Sequence, residues 1–447
     1  MVRYLVFSMS KKKLSGKVSL YPRHARESAS SPLAIEGRLA SMVKVEVYSE
    51  DGFLEFESPW YPNLITNRFL EAFGEKTFQN VNDLREYLVI GVSNDPKPEI
   101  KRSSGDITGT YSNDNGQHLF EASASFFSQD TNWEGWELVI PSTGAYARIL
   151  SRVSDTVVEI DRAINANGVQ FSVWNVNADL PATDRLAVVN TTEGTPQSPI
   201  FGFNSDVGAY EFRHEILRVY TVPQGDPIKF SSFAFVPTNT YDPGDPTNAM
   251  IYELVRDISG SPTVITLAPG KKIKIRHLLR AMAFVQNNLQ VELRQFDLAD
   301  NLVATNYLDA TNTLSTPSTP PSSAHVQSIF TRLLSPASDL INGESDAVVE
   351  LAPLDANGSP VNSLKKSFTA TTLHPYTAGS YSRSRSVLLG EEDFVATIYG
   401  IKTTFLKGDT EHFSLTTRFG QNLSITKDDL HELRVHILVR WYRYYSA

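Results

Sequence analysis

Histidine is the side chain in this sequence best suited to hold a metal ion or to transfer a proton. The nine histidines occur singly along the chain. The nearest pair, His431 and His436, is separated by an odd number of positions, so the two rings would face opposite sides of a strand. Two other histidines could still meet in the fold, although no spacing in the sequence predicts it. We therefore expect no metal site and no cofactor.

Two runs of acidic residues are the best candidates for catalysis. They are Glu391-Glu392-Asp393 and Asp428-Asp429. A glycosidase needs two carboxylates held at a set separation across a sugar, whereas adjacent acids are typical of a solvated turn. The chain also has no cysteine, no Gly-rich phosphate loop and no Gly-x-Ser-x-Gly motif. These observations favour a protein that is not an enzyme.

Two further motifs could bind a ligand. The turn Asn113-Asp114-Asn115-Gly116 is rich in oxygen atoms that could bind calcium, but it lacks the order of an EF-hand loop, so a plain turn is the favoured interpretation. Trp133, Trp136 and Trp174 could form an aromatic platform for a sugar. The interpretation we favour is that these rings pack in the core of a small barrel.

Composition and charge narrow the class of protein. The 447 residues carry a formal net charge of -9, which gives no general attraction for nucleic acid or for acidic lipid. The hydrophobic residues are dispersed, and no apolar run approaches the ~20 residues that span a bilayer. The sequence therefore predicts no nucleic-acid binding and no membrane insertion.

Any functional site of this protein must be positioned by short segments in which apolar and polar residues alternate. In the last of them, every second residue from Leu433 to Trp441 is apolar and the residues between are mostly polar. Similar segments recur along the chain between turns rich in Gly, Asn, Asp and Pro, and long amphipathic helices are nearly absent. The pattern predicts an all-β fold, with an antiparallel β-sandwich core and an inserted small β-barrel or sandwich domain.

The same pattern divides the chain into three parts. Residues 1–41 are rich in Lys, Arg and Ser and are predicted to be a basic extended arm, either disordered or ordered on a neighbouring subunit. Residues 42–105 and 191–447 are predicted to form the main β-sandwich unit. Residues 106–190 are predicted to form the inserted domain, with four strand candidates that end at Trp174.

Two segments are predicted to be loops. The Ser/Thr/Pro tract at 311–323 contains prolines, which cannot donate to a strand ladder. The segment 374–385 has no evident periodicity and is rich in aromatic and arginine residues. It is either a flexible surface loop or a contact loop. Its contact candidates are Tyr376, Tyr381, Arg383 and Arg385.

The stretch from Ser58 to Thr66 carries the main family resemblance. It reads Ser-Pro-Trp-Tyr-Pro-Asn-Leu-Ile-Thr, follows a strand pattern and opens a short helix that ends at Gly74. A second stretch, 250–276, has an Arg-Asp-x-x-Gly turn and a Pro-Thr-x-Ile-Thr strand, and a third, 425–443, ends on the alternating strand. In this order the three stretches resemble a group of tailed-bacteriophage virion proteins that are built into the tail.

This resemblance implies a structural component of a tailed-phage virion. The implied component is a homo-oligomeric collar, adaptor, nozzle or fibre anchor that contacts other tail or neck proteins and acts through assembly. It would be assembled in the host cytoplasm and would become part of the virion. The alternative function is a receptor- or glycan-binding tail module that recognises a host surface glycan.

The structural site candidates lie in the same stretches. The candidates for a hinge between the strand and the helix are Trp60, Asn63, Leu64 and Ile65. Trp441 is expected to anchor the last strand in the core, and no residue of either set is expected to be catalytic.

Overall fold

The computed structural model describes most of the chain. The described residues are 18–21, 34–75, 83–95, 99–190, 200–204, 209–237, 249–285, 289–296, 302–315, 347–368, 372–373, 375–389, 393–407, 410–427 and 433–445. The chain packs as two compact units. The N-terminal unit comprises Gly37–Met282 with Trp441–Ala447, and the C-terminal unit comprises Ala283–Arg440 with Met1–Glu36.

The predicted all-β class is confirmed. Strands make up 58% of the structure and helices 6%, with several sheets and a closed six-stranded barrel. Within the described residues, no helix is long and apolar enough to cross a membrane.

The strands follow one another along the whole chain. Up to Leu267 they are β1 (Val18–Tyr21), β2 (Ala34–Tyr48), β3 (Leu54–Glu57), β4 (Tyr61–Pro62), β5 (Leu64–Ile65), β6 (Tyr87–Val92), β7 (Lys101–Asp114), β8 (Gln117–Ala122), β9 (Glu137–Ile140), β10 (Ala145–Arg152), β11 (Val157–Ile160), β12 (Val169–Trp174), β13 (Arg185–Val189), β14 (Ile200–Asn204), β15 (Ala209–Thr221), β16 (Ile228–Val236), β17 (Ile251–Leu254) and β18 (Ile265–Leu267). After it they are β19 (Lys272–Val285), β20 (Leu289–Phe296), β21 (Leu302–Ser315), β22 (Ala347–Pro353), β23 (Lys366–Phe368), β24 (Thr372–Leu373), β25 (Ser382–Leu389), β26 (Ala396–Ile398), β27 (Gly400–Lys407), β28 (Thr410–Phe419), β29 (Ile425–Lys427) and β30 (Leu433–Arg443).

Helical structure is short. The helix α1 spans Asn67–Glu75, and 3-10 turns lie at Asp83–Arg85, Ala182–Asp184 and Asn362–Leu364. Thr66 caps α1, because its hydroxyl accepts a hydrogen bond from the Phe69 N–H at 3.4 Å. Phe69 and Leu70 are buried, so one side of the helix packs into the core.

Two sheets of the N-terminal unit face each other. One has the order β14-β15-β19-β2, with β3 and β4 also paired to β2, and the other has the order β13-β6-β16-β17-β5, with β18 paired to β16. The rings of Phe235 on β16 and His277 on β19 contact each other at a tilt of 41°, with centroids 4.8 Å apart. This contact joins the inner faces of the two sheets, as in a β-sandwich.

The closed barrel of the N-terminal unit has the strand order β10-β11-β8-β7-β12-β9. Its strands run from Lys101 to Trp174, while the domain boundaries at 106 and 190 remain predictions. The β7–β8 hairpin turns at Asn115 (φ 51°) and Gly116 (φ 91°), as expected for a two-residue turn with both residues left-handed. Asn113 Oδ1 accepts a hydrogen bond from the Gly116 N–H at 3.0 Å, so the oxygen-rich segment serves as a turn.

The C-terminal unit is a long sheet with a small two-stranded addition. The strand order is β24-β25-β30-β1-β20-β21-β28-β27-β22-β23, and β26 pairs with β29. β1 is parallel to β30 and antiparallel to β20. Part of the predicted basic arm is therefore a strand of this sheet.

Two predicted loops are wrong in part. Residues 311–315 continue β21, where Ala310, Asn312 and Leu314 are buried and alternate with exposed neighbours. Threonine favours strands, and the prolines of this tract begin only beyond the described part of β21. In the second segment, residues 382–385 belong to β25 and pair with β30.

Candidate functional site

The three stretches that carry the family resemblance meet at one place in the N-terminal unit. Ile65 on β5 pairs with Ile251 on β17. The Thr66 hydroxyl donates to the backbone carbonyl of Ala249 at 2.8 Å, and the Arg443 Nε donates to the carbonyl of Ile65. We call this site, formed by residues 63–67, 249–252, Glu137 and 441–445, the Arg443 joint.

Arg443 is the centre of the joint. Its side chain is buried, and its Nη1 lies 2.5 Å from Glu137 Oε1 on barrel strand β9. Its Nη2 donates to Asn67 Oδ1 at the start of α1. The other Glu137 oxygen accepts from the Tyr445 hydroxyl at 2.6 Å. One guanidinium therefore ties the hinge segment, the helix and the barrel together through charge-assisted hydrogen bonds.

Aromatic side chains enclose this ion pair. Trp441 is 1% exposed, and its indole N–H donates to the Leu70 carbonyl at 2.8 Å. The Tyr445 ring packs against Trp174 at a tilt of 38°, with centroids 4.8 Å apart. Burial raises the pKa of Tyr445 well above its ordinary value, and the nearby Glu137 carboxylate raises it further. Tyr445 thus stays neutral and keeps its proton for the bond to Glu137.

Asn63 lies beside a small cavity in the joint. The cavity has a volume of about 20 Å³ and is also lined by Ser41, Trp174 and Tyr444. Asn63 is 6% exposed, and neither polar atom of its side-chain amide has a hydrogen-bond partner among the described residues. A cavity of this size is large enough for about one water molecule.

The other hinge candidates divide between core and surface. Leu64 and Ile65 are buried, whereas Trp60 is 36% exposed. Hinge motion at these residues remains a prediction.

The two barrel tryptophans are core residues in the structure. Trp133 and Trp136 pack edge-to-face, with centroids 5.0 Å apart, inside a cluster with Phe120, Phe127 and Phe171. The Trp133 N–H donates to the Ser128 carbonyl at 2.9 Å. Because both rings are buried, they do not present the flat exposed surface that an aromatic sugar platform requires.

The contact candidates of the second predicted loop lie in the C-terminal unit. Tyr376, Tyr381 and Arg383 are partly exposed, and Tyr381 has a left-handed backbone (φ 44°). Burial lowers the pKa of Arg383 from its ordinary value. Arg385 lies on β25, and its side chain is outside the described part of the structure.

The candidate acids fall mostly outside the described residues. Glu391, Glu392, Asp428 and Asp429 are not described, and Asp393 forms an ion pair with Lys366 at 2.8 Å. Across the described ranges, no group of three or more His, Asp or Glu residues is arranged to hold a metal ion.

A second buried polar cluster was not predicted from the sequence. Arg85 is fully buried, and its two terminal nitrogens donate to His214 Nδ1 and His277 Nδ1, each at 2.8 Å. His277 Nε2 lies 2.5 Å from the Ser41 hydroxyl. We call this set the Arg85 cluster. Two histidines do meet in space here, but both Nδ1 atoms accept hydrogen bonds from Arg85.

Burial and positive charge keep both histidines neutral. Burial, and then Arg85 and Arg218, lower the pKa of His214 to about 4. The same causes lower the pKa of His277 well below its ordinary value. The sequence offered no signal for this cluster, because its members are separated by up to 236 positions.

Comparison of the chain with protein-family models, with curated proteins and with solved structures finds no match.

Proposed function

We propose that this protein is a structural component of a tailed-phage virion, a homo-oligomeric tail or collar part that acts through assembly and not through catalysis. It would assemble in the host cytoplasm and contact other tail or neck proteins in the virion. Collar, adaptor, nozzle and fibre anchor are all positions compatible with this role.

The observation that carries the proposal is the meeting of the three resembling stretches at the Arg443 joint. Each stretch alone is a common β-protein pattern. Their residues nevertheless pair directly, through Ile65 with Ile251 and through Arg443 with the Ile65 carbonyl. The resemblance thus corresponds to one buried architectural feature, which supports a shared tail-protein scaffold.

An apolar sheet edge supports assembly between copies. Within the described residues, β13 pairs only with β6 and is the end strand of its sheet. Leu186 and Val188 on this strand are 39% and 38% exposed. An end strand with exposed apolar residues is suited to pairing with another chain.

The packing of the barrel does not favour the rival function, which is recognition of a host glycan by this domain. Of the three rings that would form its platform, Trp133 and Trp136 are packed in the barrel core, and Trp174 is 4% exposed.

Immunogold electron microscopy of purified virions tests the proposed location. Virions would be collected from a culture that expresses this chain with a small epitope tag at its C terminus. We expect gold particles at the tail or neck. Gold on the capsid alone, or no chain detectable by mass spectrometry in virions of full infectivity, would contradict the proposal.

A further inference from the structure

The C-terminal unit contains a cavity of about 390 Å³ over strands β22, β27 and β28. The residues that line its floor occur at every second position along the strands. Glu350 pairs with Thr404, and both line the cavity. The intervening residues Leu351 and Thr403 face the other side and are fully buried. The floor is therefore the outer face of a sheet whose inner face is packed.

The rim of the cavity is a fixed turn. Asp355 Oδ1 accepts hydrogen bonds from the N–H groups of Asn357 and Ser359 at 2.9 and 2.8 Å. The Val361 N–H then donates to the Pro353 carbonyl at 2.8 Å. These bonds set the position of the 3-10 turn that follows, which contributes Asn362 to the cavity. A ligand would meet a rim that is already folded.

The charges around the cavity occur as pairs. Lys365 Nζ lies 2.8 Å from Glu350 Oε2, and Lys402 Nζ lies 3.8 Å from Glu411 Oε2. Two cations and two anions give the lining no net formal charge. Each pair offers a hydrogen-bond donor beside an acceptor, which matches a hydroxyl group because a hydroxyl both donates and accepts.

A buried hydroxyl lies next to the floor. Ser414 pairs with Thr404 across β27 and β28, so the two side chains share a face of the sheet. Ser414 is 1% exposed, and its Oγ has no hydrogen-bond partner among the described residues. A buried polar atom without a partner is costly to the folded protein, and Ser414 adjoins the floor beside Thr404 without itself lining the cavity.

We propose that this cavity binds one unit of a neutral saccharide. Its volume falls in the range of about 300–1,000 Å³ usual for small-ligand sites, and a polar, charge-balanced lining selects a hydroxyl-rich ligand over a charged one. None of its lining residues is aromatic, so the ring would be held by hydrogen bonds and not by stacking. This site is separate from the barrel and does not depend on the assembly role proposed above.

The test is a titration of the full-length protein with single sugars, followed by calorimetry or saturation-transfer NMR. The neutral probes are glucose, galactose, mannose and N-acetylglucosamine, and the charged probes are glucuronate and glucosamine. We expect saturable binding of at least one neutral sugar. Thr404→Val should weaken it at least about tenfold, equivalent to ~1.4 kcal/mol.

Thr403→Val is the matched control, because Thr403 neighbours Thr404 but faces the opposite side of the sheet and its hydroxyl has no partner among the described residues. It should leave affinity unchanged. If Thr404→Val does not fold, Lys402→Gln, at a partly exposed position, replaces it with the same expected loss. The proposal is overturned if no neutral sugar binds, if a charged probe binds more tightly, or if Thr403→Val weakens binding as much as the cavity variant.

Discussion

At the scale of single residues, Arg443 is the side chain on which most local structure depends. It bonds the Glu137 carboxylate, the Ile65 carbonyl and the Asn67 side chain. Removing one partner of a buried ion pair destabilises the folded protein far more than removing an exposed pair, because the buried partner keeps a charge that nothing compensates.

Arg443→Ala is expected to destabilise the folded protein by about 3 kcal/mol, since it leaves Glu137 without its buried partner. The control is Arg162→Ala, which removes an exposed pair with Asp161 and should cost less than ~1 kcal/mol. Urea unfolding followed by tryptophan fluorescence measures both. Equal effects of the two variants would mean that Arg443 does not hold the joint.

The Arg85 cluster predicts a loss of stability in acid. The lowered pKa values of His214 and His277 mean that the folded protein binds fewer protons than the unfolded chain between the ordinary histidine pKa near 6.5 and about 4. The contribution of the two neutral rings to the free energy of unfolding is therefore complete above about pH 6.5. It declines as the pH falls toward 4.

Urea midpoints measured from pH 7.5 to pH 5 check this expectation. This range covers the upper part of the pH interval, about 4–6.5, over which stability should be lost. The double variant His214→Gln/His277→Gln should show a smaller loss on acidification than the unsubstituted protein. His118→Gln, at the barrel histidine bonded to Tyr111, should retain the full loss. A double variant with the original pH dependence would assign the acid sensitivity to other groups.

At the scale of elements, the sequence pattern alone predicted β12 and β30 nearly residue for residue. It failed where polar residues occupy a strand. Thr311–Ser315 and Ser382–Arg385 resemble loops by composition, yet both are paired on the sheet of the C-terminal unit. Side-chain polarity indicates exposure, whereas strand pairing depends on neighbouring strands that are distant in sequence.

The barrel also depends on a close approach that a residue pattern does not show. A Cβ at Gly109 on β7 would lie 2.0 Å from the Phe120 ring on β8. Gly109→Ala should therefore destabilise the barrel by about 1–3 kcal/mol through overpacking.

A smaller ring opposite Gly109 should relieve that clash. In the double variant Gly109→Ala/Phe120→Leu, the total loss of stability should be smaller than the sum of the two single losses, with a coupling of about 1 kcal/mol. Thermal unfolding of the four proteins in this cycle measures the coupling. Strict additivity would mean that the residues do not limit each other.

At the scale of the whole molecule, composition and periodicity were sufficient for the all-β class but not for the sites. Glu137 and Arg443 are 306 positions apart, and no feature of either residue identifies the other. The proposed sugar cavity likewise needs a turn folded over a distant pair of strands. Trp60 and Trp441 remain candidates from the sequence, whereas no pattern in the sequence indicates that Arg443 would bond Ile65 and Asn67.

Self-assembly is tested most directly by the mass of the purified full-length protein in solution. Light scattering would determine this mass for the unsubstituted protein and for two double variants. Leu186→Lys/Val188→Lys places charges on the end strand β13, and Leu150→Lys/Val153→Lys places the same charges on exposed apolar residues of the barrel. We predict a discrete homo-oligomer for the unsubstituted protein and the barrel variant, and a smaller species for the edge variant. A monomer in all three samples would contradict self-assembly as the basis of its function.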